Sequence, residues 1–322
     1  MQLSEDRIKF DADALLDMFA SKQAVALGGA ATGADGGQKK KPSVVSLLDM
    51  KRSQNISIAI SQFRMPNEKL VAALLSMDEK VFDAEKLVAF EKCVPTQEEV
   101  EMISSFDEPE TLGTAEKFVL AVHKIPRLGP RTKTWGYKQT FDARYEELEP
   151  PIAAAMKACK QVQSSDKFKD LLALVLAVGN YLNGGSVRGA AYGFKLDALS
   201  KLADTKSNDP SLSLLHFLIM QAEKMGDKGP LNVSEELSAA KAASAVVLSQ
   251  LQADVGQLAG GMRVVEGQVN AFKDTPGDKY KIVMEPWLSK HKALVGKMEE
   301  EVKALQANYA SLIVLYGEDP KS

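Results

Sequence analysis

Cysteine and histidine are nearly missing from these 322 residues: Cys93 and Cys159 are the only thiols, and His123, His216 and His291 are scattered. That sparseness excludes a disulfide-stapled scaffold and offers no zinc-ligand spacing, so no metal is expected. Two buried thiols in a cytoplasmic protein are expected instead. Long apolar runs are also missing. The longest uncharged one, Leu171 to Gly179, falls far short of the roughly 18 to 20 residues that span a bilayer, and the charged start MQLSEDRIKF has no signal-peptide core. Secretion and a membrane partner are therefore not expected. Nor does charge of one sign dominate, since 40 basic and 43 acidic side chains leave a net charge of −3. Such a balance argues against a nucleic-acid partner held through phosphates. The clearest basic cluster, Lys39, Lys40 and Lys41 followed by Lys51 and Arg52, reads on its own as a solvated linker end.

Catalytic signatures are absent as well. The chain has no GxSxG nucleophile elbow, no HExxH pair and no GxxxxGKS/T phosphate loop, and GGSVRGAAYG does not match GxGxxG. Glu299, Glu300 and Glu301 read as a solvated helix face and not as a paired acid and base. With no convergent groups to name, neither an enzyme nor a cofactor is expected.

What the sequence has in abundance is helix. Residues 1–25 hold a short amphipathic pattern around Leu15, Leu16, Met18 and Phe19, and the Gly/Ala-rich stretch 26–42 has linker composition. From Ser43 onward Leu, Ala, Lys, Glu and Met dominate. Thr96 with Glu99 forms a capping box, and Asn232 with Glu235 is expected to open another helix. Phe168 to Leu182 is apolar on several faces, which predicts a helix buried in mid-domain. A further amphipathic helix is expected through Phe194, Leu196, Leu199 and Leu202. Two heptad seams follow: Leu248, Leu251, Val255, Leu258, Met262, Val265 and Val269, then Val295, Met298, Val302, Leu305, Tyr309, Leu312 and Tyr316. The expected fold is all-α, an elongated helical bundle, with intermolecular coiled coil left open.

Two segments stand out as candidate contact sites. In KRSQNISIAISQFRM, helical spacing puts Ile56, Ile60 and Phe63 on one face and Ile58 roughly opposite. An outward Ile58 flanked by Lys51 and Arg52 would be an apolar anchor with a basic rim. A buried strand, or a helix buried all round, fits the same residues slightly better on pattern alone. The second segment, Gly179 to Asp209, crosses a Gly-rich loop with Arg188 and ends with Lys206 in a polar loop; its asparagines suit turn closure.

Taken together, VSLLDMKRSQNISIAISQFRM, LGTAEKFVLAVHKIPRLGPR, KFKDLLALVLAVGNYLNGGSVRGAAYGFKLDALSKLADTKSND, LLHFL and the terminal LIVLYGED resemble the formin homology 2 domain, the actin-assembly module of formins. The resemblance is collinear over essentially the whole chain. It implies a protomer divided into a residual lasso end (1–25), a flexible linker (26–42), a knob (43–134), a coiled-coil connection (135–160), a post (161–280) and a returning C-terminal helix (281–322). It further implies a head-to-tail homodimer that nucleates actin filaments and stays on the growing barbed end. By resemblance Ile58 and Lys206 contact actin, with Lys51, Arg52, Arg127 and Arg131 as further candidates. Gly179, Asn180, Tyr181 and Asn183 match the post motif that receives the partner's lasso. The family's lasso carries tryptophans ahead of the segment matching DRIKFDADALLDMFA, whereas the only tryptophans here are Trp135 and Trp287. The expectation is therefore a fragment of a multidomain protein, mainly monomeric and impaired in assembly, with profilin reached only through a proline-rich segment it lacks. The competing reading is a helical scaffold whose seams bind partner helices without any actin activity.

Overall fold

Short helices with well-marked starts dominate the N-terminal part of the structure. In the computed structural model the described residues are 45–186, 189–226, 229–273 and 275–319; the expected lasso end and linker, the Lys39 to Lys41 cluster and Arg188 lie outside them. Asp49 caps α1 (Met50–Ser61), accepting from the Lys51 and Arg52 backbone N–H groups. Then come α2 (Asn67–Ser76), α3 (Ala84–Glu91), capped by Asp83, and α4 (Gln97–Ser104), where Thr96 and Glu99 close the expected capping box. With α5 (Thr114–Val122) these helices enclose an aromatic core in which Phe63, Phe82, Phe90 and Phe118 meet edge to face or tilted. Trp135, fully buried, joins them from the next helix.

That next helix, α6 (Leu128–Ser164), runs for 37 residues and continues through Pro150 and Pro151. It is unbroken at both ends of the expected coiled-coil connection. It packs with α11 (Leu248–Asn270) and α12 (Tyr280–Leu315). Leu251, Val255, Leu258, Met262, Val265 and Val269 on α11, and Val295, Met298, Val302 and Leu305 on α12, are all buried. Over those residues both heptad seams are satisfied within one chain, which decides for the intramolecular bundle there, whereas Tyr309 near the end of the second seam stays 46% exposed. Gly261 has a steric reason to stand within α11, because a Cβ there would overlap the Tyr137 ring. That ring packs edge-on against Trp287, and its hydroxyl donates to the Leu258 carbonyl at 2.6 Å.

Burial pushes the Tyr137 phenol up to about 12. An unfolded tyrosine ionises near 10, so the folded state holds the proton more tightly. The resulting stability is fully present below about pH 10 and is lost as pH rises towards about 12. The urea midpoint is therefore expected to fall over that alkaline window, and to fall less in Tyr137→Phe; equal losses in both proteins would rule out Tyr137 as the source.

The remaining segment is built around a much smaller core. Following Ser165, which caps it, α7 (Asp166–Leu182) meets a seven-residue 3-10 helix (Leu196–Leu202) and α8 (Leu214–Lys224) around Val175, Leu202 and Leu218. Two four-residue helices, α9 (Val233–Glu236) and α10 (Ala240–Ala243), lead into α11. Three expectations change here. Phe168 to Leu182 is helical but not a buried helix: Val175 is the one buried residue of α7, and Leu182 is largely exposed. Its several apolar faces report surface that the described residues leave without a cover. The expected amphipathic helix at 194–202 is a 3-10 helix instead. Asn232 does not cap the next helix, because its backbone is left-handed (φ 60°) and its side chain makes no cap bond; a capping residue needs an extended backbone. The all-α expectation holds, since the described residues form no strand, only two isolated bridges, Val45 with Leu112 and Lys206 with Ser213. Both cysteines are buried as expected, and burial pushes both thiols up. No helix among the described residues is long and apolar enough to cross a membrane.

Candidate functional site

Helix α1 resolves the isoleucine ambiguity. Ile56 is fully buried, Phe63 beyond the helix end is nearly so, and Ile60 packs against the same core, whereas Ile58 is 63% exposed. The residues are helical and not a strand, and the helix is buried on one side only. Fully burying a side chain such as that of Ile58 is worth roughly 1.5 to 3 kcal/mol relative to leaving it in water. Its neighbour Ser57 lines a groove together with Ser61, Arg64 and Pro66.

The six candidate contact residues divide by environment. Lys51 is exposed on the first turn of α1, near Met50, which is also exposed. Arg52 is no free cation, because every nitrogen of its guanidinium already donates: Nε and Nη2 to Glu99 at 2.7 and 3.0 Å, Nη1 to the Lys92 carbonyl at 2.6 Å and Nη2 to the Val94 carbonyl at 2.9 Å. The Glu99 side chain holds the Arg52 guanidinium above its ordinary value. Burial alone would raise the Glu99 carboxyl, but Arg52 and the Thr96 N–H hold it below its ordinary range. Arg127 is exposed, adopts a left-handed backbone (φ 53°) ahead of α6, and donates from Nε to Gln268 on α11 at 2.8 Å.

Arg131 must be reassigned from partner contact to scaffold. It is 2% exposed and forms a fully buried pair with Asp278, Nη1 donating to Oδ1 at 2.9 Å and Nη2 to Oδ2. It also donates to the Leu74 carbonyl and lies 5.1 Å from the Tyr280 ring centroid and 5.6 Å from that of Phe272. No partner reaches it without unfolding the junction of α2, α6 and the α11–α12 turn.

The second region brings two separately expected sites together. Lys206 is exposed in a loop pinned by the Leu214 N–H to the Thr205 carbonyl (2.8 Å) and the Ser207 N–H to the Leu212 carbonyl (3.0 Å). Ser211, donating from its backbone N–H and its hydroxyl, lowers the Asp209 carboxyl at the tip of that loop. Lys206 and Tyr181 line one groove of about 740 Å³, whose apolar wall includes Leu174, Val178, Leu182 and Phe217. Tyr181 is 89% exposed. The neighbouring asparagines serve the loop. Asn180 exchanges two hydrogen bonds with Ala191 (2.8 and 2.9 Å), and Asn183 donates to the Gly179 carbonyl at 2.8 Å. Gly179 has open space where a Cβ would stand, so no close approach requires glycine there.

Residue-level reasoning misses the α8 wall of this groove. Its signal is present in LLHFLIMQ: Leu215, Phe217, Ile219 and Met220 stay exposed while Leu218 is buried. Apolar residues on every side of a short helix need more cover than one small core supplies.

Among the described residues the chain thus offers an exposed isoleucine on a half-buried helix and, elsewhere, an apolar groove beside a lysine. The Formin Homology 2 Domain family model matches residues 2–322. The chain belongs to the formin homology 2 family. This formin homology 2 chain is 31% identical over 323 residues to Formin-like protein 12 of Oryza sativa subsp. japonica, covering 97% of the chain and 19% of that relative. It is 33% identical over 299 residues to Formin-H of Dictyostelium discoideum, covering 88% of the chain and 27% of the relative. Formin-A of Dictyostelium discoideum is 31% identical over 293 residues, 88% of the chain and 24% of the relative. The formin homology 2 chain thus spans about a fifth to a quarter of the length of these curated relatives.

Proposed function

We propose that this chain is an actin-binding module that acts in filament assembly, without catalytic chemistry of its own. The observation that carries the reading is Ile58, exposed on a helix whose neighbouring Ile56 is sealed in the core. In this reading Ile58 is the anchor on actin, and Lys51 and Lys206 are cations that orient the encounter with an acidic subunit surface. Ile58 belongs to a helix on the large core and Lys206 to a loop on the small one, so the module offers two separate footprints. In dimeric form such a module nucleates filaments and remains at the barbed end. The test is the time course of actin assembly with the chain and with Ile58→Ala; loss of the effect is expected, and unchanged kinetics would overturn the site.

The groove at Tyr181 is proposed to receive an apolar, aromatic-bearing segment of a second copy. Supporting this are its apolar wall and the exposure of Phe217 and Leu182. Neither tryptophan of this chain is free to fill it, because Trp135 is fully buried and Trp287 is packed against Phe141 and His291. Addition of a tryptophan-bearing N-terminal segment should shift the mass of the chain in light scattering to that of a dimer. Phe217→Asp should block that shift. A dimer persisting at nanomolar concentration without the added segment would contradict the reading.

A further inference from the structure

We propose that Arg52 and Glu99 form a positioning clamp that sets where Ile58 stands, a role distinct from contact with the partner. The inference rests on the reading of Ile58 as the actin anchor. Over twelve residues α1 fully buries only Ile56, with Ala59 and Ile60 partly buried against the same core, so its rotation about its own axis rests on few apolar side chains. Arg52 lies four residues before the buried Ile56, about 40° from it on a helix that turns about 100° per residue, and so faces the body of the protein while Ile58 faces out. Its guanidinium gathers three pieces of chain. The Lys92 and Val94 carbonyls lie just past the C-terminal end of α3, where a cation is favourably placed. Glu99 lies in the first turn of α4, where its Oε2 also accepts from the Thr96 N–H at 2.8 Å, so the carboxylate that grips Arg52 is itself held.

On the other side of the same entry to α1, the fully buried Glu116 accepts from the Ser46 hydroxyl and the Leu47 and Leu48 N–H groups at 2.9, 3.1 and 3.2 Å. That second anchor fixes where the chain enters α1, leaving its roll to Arg52. Only a planar fork with several fixed donors can serve four acceptor contacts at once; an ammonium cannot.

The experiment measures binding of fluorescently labelled monomeric actin to the full chain and to Arg52→Lys, Glu99→Gln, Ile58→Ala and the double variant Arg52→Lys/Ile58→Ala. Arg52→Lys keeps the charge and Glu99→Gln frees the guanidinium, so a direct charge contact would survive both. The clamp predicts about a tenfold loss from each, the weight of a charge-assisted hydrogen bond, and no further loss when Arg52→Lys is added to Ile58→Ala. A purely structural weakening would add to the loss from Ile58→Ala in the double variant. Wild-type affinity in Arg52→Lys and Glu99→Gln with a defective Ile58→Ala would overturn the clamp alone. Wild-type affinity in Ile58→Ala would overturn the interface reading and the clamp with it.

Discussion

Asp278→Ala should be among the most destabilising single substitutions in this protein, costing about 3 to 5 kcal/mol in urea unfolding. The carboxylate is fully buried against Arg131, and its Oδ1 also accepts the Tyr280 N–H at 2.9 Å. Its removal strands a buried guanidinium whose Nε has no partner among the described residues even with Asp278 in place, leaving it the Leu74 carbonyl and two aromatic faces. Against a total stability of about 5 to 15 kcal/mol that loss is severe. Replacing both partners by apolar residues, as in Arg131→Met/Asp278→Leu, should recover much of it, because the penalty comes from an unmatched buried charge and not from the absence of a pair. A cost below about 1 kcal/mol for Asp278→Ala would show that water or rearrangement rescues the site. The outcome also bears on function. Arg131 sits in the PRLGPR segment beside Arg127, so a loss of actin binding in an Arg131 variant should arrive together with a loss of stability. A true contact residue separates the two.

The same pair shows why part of the fold is hidden in the sequence. Arg131 and Asp278 are 147 residues apart, and neither has a local pattern that predicts burial; a charge in a basic segment reads as surface until its partner is placed. The seams on α11 and α12 are legible because apolar residues alternating by three and four must share one helix face. Their partners are not, since the same seam fits an intramolecular bundle or an intermolecular coil, and only the packing of both on α6 decides. Gly261 looks like a flaw in the first seam until Tyr137 is seen to occupy the space of its missing side chain. At Ile58 the helical period gives the outward direction, but alternation with Ile56 and Ile60 fits a buried strand, or a helix buried all round, slightly better, and the core around Phe63 settles it. The apolar character of α7 is plain in the sequence, yet the burial expected from it is wrong. Hydrophobicity records that a surface seeks cover, not which molecule covers it.

Ile58→Ala is expected to weaken actin binding by about a hundredfold, the effect of losing an interface hot spot of roughly 2 to 3 kcal/mol. Its effect on folding should stay within about 0.5 kcal/mol, because the side chain lies outside the core that Ile56 and Phe63 build. Lys206→Ala should behave differently. An exposed cation contributes to orientation and encounter more than to the lifetime of the complex, so a loss of about threefold to tenfold in association rate is expected, shrinking as salt rises. Ile58 stands on the helix that carries Ile56 into the large core, and Lys206 lines the groove beside the small one, so their effects on binding should add in the double variant. Rate measurements with labelled monomeric actin at two salt concentrations separate the cases. Ile58→Ala should raise the dissociation rate at both, whereas Lys206→Ala should slow association mainly at the lower. If Ile58→Ala instead lowers stability by about 2 kcal/mol or more while binding follows stability, the exposed isoleucine is a packing residue, and the anchor must be sought along the Tyr181 groove.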